Sequence, residues 1–403
     1  MLSAGARTAH GSRSADGISP GLTFVFALAS GALVANLYYA QALVTVISPA
    51  LGLHAGLAGL TVTLTQLGYA VGLALLVSLA DLVENRRLIL LCVAGTVVGL
   101  CGAALSTSAA MFLISSVVIG VCAVGAQIII PFAAHLAHDH RRGRVLGNVM
   151  GGLITGIMLA RPVANLIASA FGWRAVFGVS AGIGVAIAVV LWFALPERRP
   201  QSGLSYAGIL ASTWHLLMTQ PVLQGRALTQ AFVFGSFNLF WTAVPIVLTQ
   251  RFGFDQRQIA LFALAGAGGA LAAPVAGRLA DRGLTRPATI AAFLTILAAF
   301  ALSGWAVAAT FVVALAVAAI ALDAAAQASQ ILSQRVIYGI DAEARGRVNA
   351  VFMTSIFVAG AIGSLLGGAT YYFGGWTATA ATGALAGAVL LVLAFTILRP
   401  RPA

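Results

Sequence analysis

Two ionisable residues stand in stretches otherwise fit only for hydrocarbon. Asp323 lies midway along Ala321-Leu322-Asp323-Ala324-Ala325-Ala326-Gln327, and Arg161 lies in Leu159-Ala160-Arg161-Pro162. A charge at such depth costs at least about 2.5 to 3.5 kcal/mol on insertion scales, so it marks ion traffic, cargo binding or a buried pair. A carboxyl removed from water favours its neutral form, whereas a nearby arginine favours the carboxylate. Asp323 and Arg161 are therefore the candidate coupling residues, Asp323 exchanging a proton or a cationic cargo against the arginine. A static pair that only fixes helix packing is the alternative reading.

Other polar residues share this depth. Asp323, Gln327 and Gln330 follow at i, i+4 and i+7, which places them on one helical face. An early apolar run offers Asn36, Tyr38, Tyr39 and Gln41, and a later one Gln230, Asn238 and Trp241. Amides donate and accept, and Tyr and Trp add apolar faces with polar edges, a lining suited to amphipathic small molecules. The candidate cavity comprises Asn36, Tyr39, Gln127, Asn238, Trp241, Gln327 and Gln330, with hydrogen bonding between helices as the alternative use.

The elements that must hold these residues follow from composition. The 403 residues are 60% hydrophobic and 8% charged, with mean hydropathy +1.00, against roughly a quarter charged in soluble chains. Crossing about 30 Å of hydrocarbon takes about 20 apolar residues in a helix. Twelve such runs are predicted, near 22–47, 57–80, 88–106, 110–134, 145–169, 174–195, 227–250, 259–280, 288–308, 310–333, 348–371 and 376–398. They are too long and continuous for barrel strands. The expected product is an all-α integral membrane protein with a tail (1–21), a six-helix bundle (22–195), a linking loop (196–226), a second bundle (227–398) and a tail (399–403). Leu210, Trp214, Leu217 and Met218 recur at helical spacing in the loop, which predicts an amphipathic helix on the membrane face.

The net charge of +12 comes entirely from arginine. All but Arg161, Arg174, Arg251 and Arg257 fall in the tails and alternate gaps, which by the positive-inside rule puts both termini in the cytoplasm and argues against a nucleic-acid face. Trp173, Trp305 and Trp376 fall at the opposite ends, where interfacial anchors belong. Cys92, Cys101 and Cys122 sit in apolar runs and suggest neither disulfides nor a metal site. His135, His138, Asp139 and His140 cluster at the inner end of the fourth run, where interfacial basic character accounts for them without a metal.

The chain also repeats itself. Arg142-Gly143-Arg144-Val145 returns as Arg345-Gly346-Arg347-Val348, and at the same spacing Gln127 matches Gln330, Met150 matches Met353, and Gly172-Trp173 matches Gly375-Trp376. Leu79-Ala80-Asp81 returns as Leu279-Ala280-Asp281. The copies occupy equivalent gaps, so the halves are parallel repeats, an arrangement that sets a substrate site at their interface near the midplane.

On these residues the chain resembles the major facilitator superfamily. That family's loop signature has the form G-x-L-a-D-r-x-G-r-k. It reads here as Gly277-Arg278-Leu279-Ala280-Asp281-Arg282-Gly283 with Arg286 beyond, and as Val77-Ser78-Leu79-Ala80-Asp81-Leu82-Val83-Glu84-Asn85-Arg86. The first copy departs at Val77, Leu82 and Glu84. The resemblance implies that spans one, four, seven and ten line the cavity, and that Asp81 and Asp281 face the N-termini of spans eleven and five. A carboxylate there is stabilised by the helix dipole. Asp81, Arg86, Asp281, Arg282, Arg144 and Arg347 are thus expected to form a latch that biases one conformational state; ordinary solvated loop charge is the alternative.

Gly147, Gly151, Gly152, Gly156 and Pro162 resemble the glycine-proline motif of the family's proton-coupled exporters, with Arg161 where glycine is usual. Ser116 stands where the exporter motif of span four carries arginine. The function expected is secondary active transport of small organic molecules (drug, metabolite or sugar-like) by alternating access with proton-coupled efflux, an uncoupled importer or facilitator being the alternative. The expected setting is a multi-pass monomer in the bacterial inner membrane, drawing on a proton gradient, without cofactor or metal. The alternative of another class is a membrane-embedded sensor or enzyme; no nucleophile, base and orienting acid occur together and no stretch outside the apolar runs is long enough to fold alone, which argues against both.

Overall fold

Backbone groups in hydrocarbon must be satisfied within their own segment, which leaves helices as the spanning form for continuous apolar runs. The computed structural model describes residues 18–198, 205–266, 268–269, 272–341 and 344–396, and its elements among these are helical. The expectations for the tails fall largely outside the described residues.

The first run is broken into three helices: α1 (Pro20–Ala35), α2 (Tyr39–Ala42) and α3 (Val44–Ala50). Ser19 caps α1 by accepting from the Leu22 amide at 3.1 Å, and Pro20 starts it where no donor is needed. Next come α4 (Leu60–Leu79), α5 (Asn85–Ala104), and α6 (Ala109–Ala123) with α7 (Gly125–Leu136), which together form one run. The first half closes with α8 (Asp139–Phe171) and α9 (Trp173–Ala194).

The loop helix is α10 (Tyr206–Thr219). Ile209 and Leu216 face the protein, while Trp214 and Met218 of the predicted stripe are exposed. In the second half, α11 (Pro221–Phe252) is followed by a broken run, α12 (Gln256–Gly266) and α13 (Ala272–Asp281), then by α14 (Thr285–Ala308) and α15 (Val312–Ile337). The last element, α16 (Arg345–Thr396), is two arms joined at a kink at Gly374 and Gly375. Among the described residues, nine helical segments are long and apolar enough to cross a membrane, this two-armed element counting as one.

The repeat is visible in the backbone. Gly172 (φ 81°) and Gly375 (φ 60°) occupy the region open to glycine, each just before a tryptophan. These tryptophans are not interfacial anchors as expected. Trp173 is 7% exposed among Phe112 and Phe177, and Trp376 is 5% exposed and donates to the Ser303 carbonyl at 3.1 Å. Only Trp305 of the three, at 56%, faces outward.

The main apolar core of the second half is matched by two in the first, the larger of which receives Val348, Phe352 and Phe357 from α16. The halves meet along α4 and α16, where Thr63 donates to the Ala361 carbonyl at 3.0 Å, and at Gln256, which donates to Thr45 at 3.3 Å. Small residues let helices touch: Gly68 packs on α6 at Val117 and Gly120, and Gly363 packs on Gly235.

Candidate functional site

Trp241, on α11, organises the buried charges. Its indole nitrogen donates to Asp323 Oδ1 at 2.7 Å, and its ring face lies 4.4 Å from the Arg161 guanidinium carbon. Asp323 and Arg161 therefore make no direct ion pair; one aromatic ring separates them. Arg161 comes from the first half, on α8, while Trp241 and Asp323 belong to the second.

Arg161 is enclosed further by Tyr38 at 5.0 Å and Phe237 at 5.2 Å. Such stacking is worth about 2 kcal/mol or more per contact when desolvated. Its Nε and Nη2 donate to Gln41 Oε1 at 3.1 and 2.9 Å. The Gln41 amide nitrogen then donates across the halves to Asn238 Oδ1 at 3.1 Å and Thr242 at 3.2 Å. Asn238 Oδ1 also accepts from Gln66 at 2.5 Å. A polar chain thus runs from Arg161 through Gln41 and Asn238 to Gln66, every member buried.

Local backbone makes this possible. The interruption between α1 and α2 turns Gln41 toward Arg161. The break between α12 and α13 brings glycine beside the carboxylate: a methyl on Gly266 would overlap the Trp241 ring and approach Asp323 Oδ2 to 3.3 Å.

The structure brings together Asp323, Arg161, Asn238 and Trp241 of the expected site. Gln127, Gln327 and Gln330 are half-buried on α7 and α15. Asn36 and Tyr39 lie elsewhere. Ser180 of α9 donates to Asn36 Oδ1 at 2.8 Å, and Tyr39 meets Phe177 edge-on at 6.3 Å, so both pack inside the first half instead of lining the seam. Gln66, Phe237 and Thr242 join the site without a signal in the sequence beyond polar or aromatic character within an apolar run.

The latch residues divide. Asp81 lies in the field of Arg347 and Arg198; burial raises its carboxyl above the ordinary value, against both arginines. Arg347 donates to Ser212 of α10 at 2.6 Å. Asp281 does not meet Arg144: it pairs with Arg335 of its own half at 2.6 Å. Arg86 donates to the Trp192 carbonyl of its own half at 2.5 Å and lies 4.0 Å from Glu197 of the linking loop, and Arg144 and Arg282 are exposed. Among the described residues no group of His, Cys, Asp and Glu is placed to hold a metal ion.

A cavity of about 400 Å³ lies apart from this network, between α11 and the arms of α16. It is lined by Phe232, Leu239, Ile362 and Leu385 among others and holds no titratable group.

Residues 22–224 and 226–403 match the sequence profile of the Major Facilitator Superfamily. The chain is 39% identical over 93% of its length, and 95% of the relative's, to a protein of Escherichia coli O157:H7 named as an uncharacterized transporter, YgaY. It is 31% identical over 94% of its length, and 87% of the relative's, to a protein of Streptomyces coelicolor also named as a transporter, SCO4007. Among solved structures it resembles a D-xylose-proton symporter at TM-score 0.70 and 16% identity, covering 92% of this chain and 96% of the other.

Proposed function

The chain belongs to the major facilitator superfamily, a family of multi-pass membrane transporters, and on that premise we propose that it is a proton-coupled exporter of small organic molecules working by alternating access. The observation that carries the reading is the single indole set between a carboxylate and a guanidinium of opposite halves, 2.7 Å from one and 4.4 Å from the other. An ionised Asp323 holds the Trp241 N–H strongly, since hydrogen bonds to charged acceptors exceed those to neutral ones. That fixes the ring as a platform for Arg161 and keeps the halves together. A proton on Asp323 weakens the bond, frees the ring, and lets Arg161 leave with its own half. Cargo that stacks on Trp241 or engages Arg161 competes for the same groups, so proton and cargo act on one gate.

In this cycle both termini face the cytoplasm, Asp323 takes its proton from outside, and the Asp81–Arg347 end is the inner one. Export follows the resemblance of the glycine-rich α8 to exporters; the energy source is the proton gradient and the bilayer is the setting.

Asp323→Asn retains an acceptor for Trp241 but cannot cycle a proton. In reconstituted vesicles the variant is expected to exchange cargo down its gradient without moving protons. Proton flux equal to that of the unmodified protein, with normal folding, would overturn the reading.

A further inference from the structure

Packed helices leave few voids larger than a water molecule. The cavity of about 400 Å³ between α11 and the two arms of α16 is far larger, and it is lined from within 231–239, 359–366 and 382–389. Each stretch is the middle of its helix; the last lies about equally far from the Gly374–Gly375 kink and from Thr396. The neighbouring contacts hold the gap open. Gly363 packs on Gly235, so α11 rests against the first arm, while a methyl on Gly383 would overlap the Phe300 ring, so the second arm rests against α14. At the rim Ile362, Leu366 and Leu385 are 55%, 41% and 66% exposed, which turns the opening toward hydrocarbon. The two hydroxyls inside are already engaged: Ser236 donates to the Phe232 carbonyl and Thr382 to the Ala378 carbonyl, both at 2.8 Å and within their own helices. A polar occupant would find no partner there and would lose its hydration.

We propose that this gap is a binding site for one acyl chain of a bilayer phospholipid. At mid-depth a bilayer presents only chain ends to such an opening, and the lining rises about 12 Å along each helix, so the outer part of one chain enters while its headgroup stays at the interface. Nothing in the gap reads the headgroup, so the site selects for an apolar chain and not for a lipid class. The occupant bears on the gate through α11. Leu239 lines the gap, and its neighbours Asn238 and Trp241 reach Gln66 and Arg161 of the first half. A bound chain therefore braces, from the lipid side, the helix that carries the seam. This holds whether or not transport is coupled to protons, and in either direction.

The probe is a phosphatidylcholine with a diazirine at the end of one acyl chain, reconstituted with the full-length protein in nanodiscs, irradiated, and mapped by mass spectrometry. Adducts on Phe232, Leu239, Ile362 and Leu385 should exceed those on Leu294 and Ala298, exposed residues in the middle of α14. Ala231→Phe and Ala386→Phe bring a ring into the gap from opposite walls. Each should cut the adducts in the gap about fivefold or more, since a close-packed gap has no room for a chain. Ala298→Phe should leave them unchanged. Phosphatidylethanolamine and phosphatidylglycerol bearing the same chain should label equally. Both filled variants should melt no lower than the parent after delipidation, as filled cavities do; a lower value would show that the gap lacks the room. Adducts spread evenly over the lipid-facing residues overturn the proposal, and so does labelling that survives both fillings. A yield that follows the headgroup overturns it as well, because a polar contact would then hold the lipid. Native mass spectra showing dimers that both fillings abolish would make a second copy of the chain the occupant in place of lipid.

Discussion

Asn238→Leu tests whether the polar chain clasps the halves. Asn238 Oδ1 takes hydrogen bonds from two residues of the opposite half, Gln41 at 3.1 Å and Gln66 at 2.5 Å. Leucine fills nearly the same volume and accepts neither. Gln41 keeps Thr242 at 3.2 Å, but the Gln66 amide is left without a partner at either end. A stranded buried polar group costs about 1 to 3 kcal/mol in soluble proteins, whereas interhelical hydrogen bonds in membranes average about 0.6 kcal/mol. One lost bond and one stranded amide therefore come to about 1 to 3 kcal/mol. The cost falls on the closed seam alone, because water reaches these groups once the halves part. The equilibrium should shift about 5- to 150-fold toward the open seam. Spin labels at Leu105 and Phe311, exposed sites on the two halves, with Cys101 replaced, report the change by double electron-electron resonance. A folded variant whose short-distance population matches that of the parent would refute the clasp.

Gly266→Val drives a side chain into the Trp241 ring and Asp323; transport should fall at least tenfold, and retained transport would show that the ring need not sit there. Asp281→Asn breaks an ion pair whose side chains are 62% and 54% exposed, so its effect on stability should stay below about 1 kcal/mol in a melting curve. For Asp81 the sign is the reverse of a stabilising carboxylate. Its raised folded value means that the folded state holds a proton in a window just above the ordinary 3.8 where the unfolded chain has lost it. The stabilising contribution is full below that window and fades as pH rises through the raised value. Asp81→Asn should therefore gain on the parent in melting temperature from pH 4 upward, and a constant difference would count against the burial.

Long apolar runs and the Gly-Trp repeat were legible because hydrocarbon thickness and positive φ each demand particular residues. Side-chain direction along the first run was not. Helical spacing holds only while the helix continues, and the breaks at Asn36–Tyr38 and Leu43 re-aim everything beyond them. Tyr39 consequently meets Phe177 while Gln41 meets Arg161. Gln66 was invisible for another reason: one amide in an apolar run forms no stripe. Trp173 and Trp376 were placed at the right helix ends but on the wrong side, since residues at helix starts turn inward when an aromatic pocket such as Phe112 and Phe177 awaits them.

The latch shows how a sequence repeat yields unequal halves. Asp281 and Asp81 are equivalent, yet Asp281 pairs with an arginine of its own bundle, Arg335 at 2.6 Å. The residue at the matching place in the first repeat is Phe132, which is buried. Asp81 lies instead in the field of Arg198, from the linking loop, and Arg347, from the other half. If the partner within the half is what withholds Asp281, then Arg335→Phe, which copies the first repeat, should release it toward α8. Cysteines at Arg282 and Gly143, flanking the two charges, should then oxidise to a disulfide faster than in the Arg335 parent. The exposed pair is weak in water, so the expected gain is modest, about two- to fivefold. An unchanged rate would mean that the asymmetry lies in the packing of the halves and not in the competition of one carboxylate for two arginines.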